Sequence, residues 1–231
     1  MTGLGLVRHS SVRWGMVRRG KVNLKEKKEK VMVAKKNEKI EVRRVEMEIV
    51  NIPIWGVTSL ISHNWSDEAI EDMERKQMGL PPIIRGPKNP EQQYRDCLYV
   101  IDEKEKRYGF PSDGIKKAMV QAGGRLANAI MTKLRTNFFV LGDLTEIISK
   151  NGPSMRRDMV RLGGKTADIR YRAEFKEWRM IVGIKYFNKI ISQSKIVNLL
   201  YNAGLGLGLG DWRPERGGTH GMWRMTEKEE N

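Results

Sequence analysis

The spacing of apolar and polar side chains divides the chain near residue 40. Before that point neither a period of two nor one of 3.6 is sustained. Two short apolar patches, Leu4 to Val7 and Val31 to Val33, sit in a charged background, which predicts a flexible arm over residues 1–38. After it, Val45, Met47 and Ile49 alternate with Arg44, Glu46 and Glu48, predicting a strand over residues 40–52 that Pro53 ends. An apolar segment, Trp55 to Ile61, follows. Ser66 or Asp67 then caps a helix whose apolar face is Ala69, Ile70 and Met73 and which Gly79 stops. Pro81, Pro82, Pro87 and Pro90 mark an irregular loop from Leu80 to Glu91. Cys97 to Ile101 and Arg107 to Phe110 flank a charged turn and read as a hairpin.

Pro111 and Ser112 open the longest helix, with Ile115, Ala118, Met119, Ala122, Leu126, Ala129 and Ile130 in one stripe. Gly123 and Gly124 inside it predict close approach to another backbone. Strands are expected at 137–141 and 145–148, with short strands at 158–162 and 167–171 around Gly163 and Gly164. The longest strand spans 177–187 and shows Met180, Val182, Ile184 and Tyr186 on one face. A second helix begins at Ser192, carries Ile196, Leu199, Leu200 and Ala203, and ends at Gly204. The strands near Val45, Asn137, Glu177 and Met222 should share one antiparallel sheet, with helices 112–130 and 192–203 packed on a single face.

After the second helix, Gly204, Gly206, Gly208 and Gly210 occupy every second position. Trp212, Arg213, Arg216, Gly217, Gly218 and His220 follow, before a short strand from Met222 to Met225. A dinucleotide-binding turn runs strand, glycine loop, helix; here the order is helix, glycine loop, strand, which excludes it. Backbone N–H groups at Gly206, Gly208 and Gly210, a stacking ring at Trp212 and guanidinium groups at Arg213 and Arg216 suit a sugar-phosphate strand with accessible bases. Lys116, Lys117 and Arg125 on the first core helix add cations for phosphates.

Charge supports that partner class. The net charge is +15 over 231 residues, and residues 1–36 carry eleven Lys or Arg against two Glu. Neither a secretory leader nor a membrane-spanning run is read, and a single cysteine, Cys97, excludes an intrachain disulfide framework; a reducing cytoplasm is the expected setting. The Met32 context reads as a start in its own right, so the first thirty residues are not expected to be needed by the fold.

Chemistry is sparse. Gly163-Gly-Lys-Thr166 resembles the end of a phosphate-binding loop, but Met159 stands where the first glycine belongs. His9, His63 and His220 have no metal-ligand spacing, and no metal or cofactor is expected. His220 is the one acid/base candidate, because it sits in the binding loop; His63 reads as a packed or capping residue.

Two motifs carry a family resemblance. Phe110-Pro-Ser-Asp-Gly-Ile-Lys-Lys-Ala118 resembles the segment that opens the first core helix in the RAMP superfamily of CRISPR RNA-binding proteins. Gly206-Leu-Gly-Leu-Gly-Asp-Trp-Arg-Pro-Glu-Arg-Gly-Gly-Thr-His-Gly221 resembles their late glycine-rich loop, with Trp212 to Glu215 inserted between its glycine clusters. Stretches from His63 to Gln77 and at Arg213 to Glu215 also resemble uncharacterised bacteriophage proteins of this plan. The resemblance implies an α+β, ferredoxin-like (RRM/RAMP-like) antiparallel sheet with helices on one face, in a single domain at 39–231 with insertions near 53–111 and 143–176. It implies binding of RNA or single-stranded DNA, either as copies along the strand or as a subunit of a CRISPR-like or phage assembly. It carries over no catalytic aspartate. Two rival readings stand beside it: a metal-independent endoribonuclease using His220, and a phage interaction module acting on a host complex.

Overall fold

Alternating apolar residues on four strands build the core of the computed structural model, which describes residues 44–84, 86–162 and 166–226. A compact unit begins at Val45. The basic arm and Gly163 to Lys165 lie outside the described residues. In chain order the elements are β1 (Glu48–Gly56), β2 (Leu60–Ser62), α1 (Asp67–Gln77), α2 (Pro90–Asp96), β3 (Tyr99–Asp102), β4 (Arg107–Pro111) and α3 (Ser112–Ala127). Then come α4 (Met131–Asn137), β5 (Phe138–Val140), β6 (Leu144–Ile147), β7 (Ser154–Leu162), β8 (Thr166–Phe175), β9 (Arg179–Tyr186), α5 (Gln193–Gly206) and β10 (Trp223–Arg224), with a 3-10 turn at Pro214–Arg216.

The main sheet has the order β10-β1-β9-β5, every pair antiparallel. These are the four strands expected to share one sheet from the strand-helix order. Across β1 and β9, Val50 faces Ile184, Ile52 faces Val182 and Ile54 faces Met180. This side is the inner one: Ile54, Met180, Val182 and Ile184 are fully buried. The apolar stripes of α3 (Ile115, Met119, Ala122) and α5 (Ile196, Leu200, Ala203) enter the same core, also with no exposure. Complete burial of each Ile, Leu, Val or Met among them contributes about 1.5–3 kcal/mol. On the other side of the sheet Ile49, Phe139 and Ile181 remain exposed.

Pro53 does not end β1. It pairs with Ile181 in the middle of a nine-residue strand. Gly56 donates its N–H to Trp178 on the β9 side, so by alternation the ring nitrogen of Pro53 faces the β10 side, where β10 pairs only with Trp55 and Gly56. No ladder bond is lost there. The proline-rich loop also hides α2: Asn89 accepts from the N–H groups of Glu91 and Gln92, and Pro90 takes the first helical position.

Gly123 and Gly124 admit side chains rather than another backbone. A Cβ on Gly123 would strike Leu134 and Leu199, and one on Gly124 would strike Met131. The helix itself ends at Ala127, because Asn128 turns left-handed (φ 51°). At its other end Ser112 is buried; its hydroxyl lies 2.9 Å from that of Thr145 and donates to the Leu141 carbonyl at 3.3 Å. The Pro-Ser motif thus pins α3 to β6. Two smaller antiparallel sheets, β2-β8-β7 and β3-β4-β6, complete the unit. The short strands expected around Gly163 and Gly164 are the arms of a nine-pair hairpin, from Ser154 opposite Glu174 to Leu162 opposite Thr166.

Candidate nucleic-acid interface

The glycine segment is a folded element. α5 runs two residues past its expected end, so Gly206 lies in its last turn, and the N–H groups of Leu207 and Gly208 both donate to Ala203, at 3.0 and 2.9 Å. The reading of free backbone donors at Gly206 and Gly208 is thereby corrected: helix termination consumes the Gly208 N–H. Leu207 and Leu209 are buried, which is why leucine alternates with glycine here. The returning chain closes a second set of bonds: Leu209 N–H to Gly221, Gly221 N–H to Ser59, Asp211 N–H to Ile61 and His220 N–H to Trp212. Gly210 and Gly221 have φ of +72° and +70°, and a Cβ on either would land on a carbonyl oxygen, of Ile61 and Leu209 respectively. Close packing requires both. Gly218 sits under the Trp212 carbonyl, whereas Gly217 is exposed in open space.

Between this loop and α3 lies a cleft of about 230 Å³. Lys117 and Gln121 of α3 line one wall, Gly208, Gly210 and Arg213 the other, and Tyr99 and His63 close the end. The Gln121 Oε1 atom is buried there without a hydrogen-bond partner. Trp212, between the cleft-lining Asp211 and Arg213, is 47% exposed and in a left-handed conformation (φ 56°). Arg213 is already engaged: Nε and one terminal nitrogen reach Glu215 at 2.9 and 2.7 Å, and the other donates to the Gly210 carbonyl. Arg125 shares the same carboxylate at 3.3 Å. Burial works to raise the Glu215 carboxyl, but Arg213, Arg125 and Arg216 outweigh it and hold the group below its ordinary range. Arg216 is exposed. Lys116 turns away from the cleft and lies over the Phe139 ring, 4.5 Å from its centre.

An ionic chain, absent from any local motif, runs behind the loop. His63 Nδ1 lies 2.9 Å from Asp211 Oδ2. Arg172, nearly buried, has its Nε 2.9 Å from the same oxygen, with the N–H out of line for a hydrogen bond, and pairs with Asp158 at 3.1 Å. Arg156 joins Asp158 to Glu174 at 2.8 and 2.9 Å. Ser59 donates to Glu174 at 2.7 Å and lies 2.9 Å from His220 Nδ1. Because the one Ser59 proton goes to Glu174, His220 Nδ1 is the donor in that contact. Burial works to raise the Asp211 carboxyl; His63, Arg172 and Arg213 overcome it and keep the group ionised. His63, expected only to pack or cap, is therefore a wall of the cleft, and Asp211 and Gln121 join it. A chain separation of 148 residues between His63 and Asp211 left no spacing signal to find.

Among the described residues no cluster of His, Cys, Asp or Glu could hold a metal ion, and no helix is long and apolar enough to cross a membrane. No family model and no curated protein matches the chain. Among solved structures, the chain is similar to the crystal structure of Cmr6, a RAMP protein, from Pyrococcus furiosus. The match has 9% identity and a TM-score of 0.41, and covers 79% of this chain and 100% of that one.

Proposed function

We propose that the protein binds single-stranded nucleic acid, RNA foremost, along the cleft between α3 and the glycine loop, as a subunit of a CRISPR-like or phage nucleoprotein assembly. The observation that carries this reading is Lys117 and Arg213 lining one cleft, the exposed Trp212 next to Arg213 in the chain, and Arg125, Arg213 and Arg216 gathered around the single carboxylate of Glu215. An incoming phosphate competes with Glu215 for these guanidinium groups, while Trp212 offers a face for a base. The strand order supports the same class. Counting only β1, β5, β9 and β10 as first to fourth, the sheet reads fourth, first, third, second, with α3 and α5 as the two crossovers, which is the ferredoxin-like plan.

The test is fluorescence anisotropy with labelled random single-stranded RNA, single-stranded DNA and duplex, over a range of salt. Single strands should bind better than duplex, with affinity falling as salt rises. Lys117→Ala should flatten the salt slope by about one phosphate contact. Equal binding of duplex, or no binding at low salt, would sink the reading.

A further inference from the structure

On the face of the main sheet turned away from the α3 and α5 core, Ile49, Asn51, Pro53, Arg179 and Ile181 are exposed. β1 contributes Ile49, Asn51, Pro53 and Trp55 to it; β9 contributes Arg179, Ile181, Gly183 and Lys185; β5 contributes Phe139 and β10 Arg224. These form ordered rows. At one end Trp55 is paired with Arg179 on one side and Arg224 on the other. At the other end Lys185 stands between Ile49 and Phe139, and Lys116 reaches the Phe139 ring as well. Between them Asn51 faces Gly183, and the space a side chain on Gly183 would take is bordered by the Asn51 amide oxygen and Leu141, at 3.2 and 3.5 Å. None of these strand positions is acidic. Arg179 and Lys185 make no ion pair among the described residues, and Ile49, Ile181 and Phe139 are 59%, 57% and 40% exposed.

We propose that this open face is a second contact surface for single-stranded nucleic acid, with bases stacking on Trp55 and Phe139 and phosphates meeting Arg179, Arg224 and Lys185. The proposal shares the ligand class of the cleft but not its site. Two observations favour this occupant over a second protein surface. The charged side chains on the face are all cationic, which repels a second copy of the same face and attracts a polyanion. And each aromatic ring stands beside a cation, at opposite ends of the face, a pairing that matches alternating bases and phosphates. Six residues of β1 separate the two ends, about 20 Å at the rise of a strand. That is room for about four nucleotides, the small end of single-strand sites. The Asn51 amide at the centre offers both a donor and an acceptor to a base edge.

Octauridylate carrying 4-thiouridine, irradiated with the full chain, should crosslink to peptides containing Trp55 or Phe139. Phe139→Ala combined with Arg179→Glu should weaken octauridylate binding by about tenfold, with an unchanged melting temperature, since both side chains are exposed. Lys185→Glu is the independent variant and should lower affinity and flatten the salt dependence. Unchanged affinity in these folded variants overturns the proposal. So does an Ile181→Glu variant that changes oligomeric state and leaves octauridylate affinity intact, which would give the face to a second copy. If Lys117→Ala and Trp212→Ala lose binding and the sheet variants do not, only this surface fails; if the unaltered chain binds no octauridylate, both sites fail.

Discussion

His63 and Asp211 meet with Nδ1 and Oδ2 2.9 Å apart, and this contact joins the segment before α1 to the middle of the glycine loop. Each side chain is about one-third exposed (33% and 32%), so solvent screens the pair and its own contribution is modest. Its value is positional, since it fixes the imidazole at the end of the cleft. Asp211→Asn should cost only about 1 kcal/mol in chemical denaturation. The His63 ring signals in an NMR spectrum should shift markedly, and a His63 ring unmoved by the substitution would show that the pair does not orient it.

Arg172 is a different case, because it is nearly buried and faces two carboxylates, Asp158 and Asp211. Arg172→Met keeps the volume and leaves Asp158 with Arg156 alone and Asp211 with His63 alone. It should destabilise the protein by about 3 kcal/mol. Urea unfolding measures this, and a loss near zero would mean that solvent reaches Asp158.

Acid should loosen the loop. Both Asp211 and Glu215 are held below their ordinary values of 3.8 and 4.5 in the folded protein. A carboxyl depressed in this way contributes stability that is fully present above the ordinary value and is lost as pH falls through the folded one. Melting temperature should therefore be flat from neutrality down to the ordinary carboxylate range and fall below it. Asp211→Asn combined with Glu215→Gln should flatten that acid limb.

Gly221→Ala should destabilise by about 1–3 kcal/mol, from its positive φ and from the clash with the Leu209 carbonyl. Any loss of RNA affinity should then track the unfolded fraction. Gly217→Ala meets no neighbouring atom, so it pays only the positive-φ cost and should be milder. Thermal melts of the two variants compare these terms directly.

Trp212→Ala should cost roughly 1–3 kcal/mol of single-strand affinity if a base stacks there, with little change in stability because the ring is half exposed. Anisotropy and melting on one sample separate the two quantities.

The parts of this fold that were legible in the sequence are those where one residue's environment repeats along an element. Met180, Val182, Ile184 and Tyr186 alternate because one side of β9 faces the core, and Ile115, Met119 and Ala122 recur because one side of α3 does. α2 went unread because four prolines signal a loop, although Asn89 and Pro90 are also a helix start. The glycine segment is legible as the link between α5 and β10, but its spacing says nothing of the Gly208 N–H, which Ala203 takes. The ionic chain was illegible for a plain reason: Asp158, Arg172 and Asp211 lie on a hairpin and a loop far apart in sequence, and no period links them.

β10 comes last among the core strands and pairs with β1, the first. Trp223 is fully buried against that edge. The sheet therefore closes through a pairing between its first and last strands, and until β10 arrives that edge of β1 has no strand beside it. Pairings of such long sequence separation are slow to form. Closing this edge is thus a late step of folding, and a variant that unseats Trp223 leaves β1 open to non-native strand pairing.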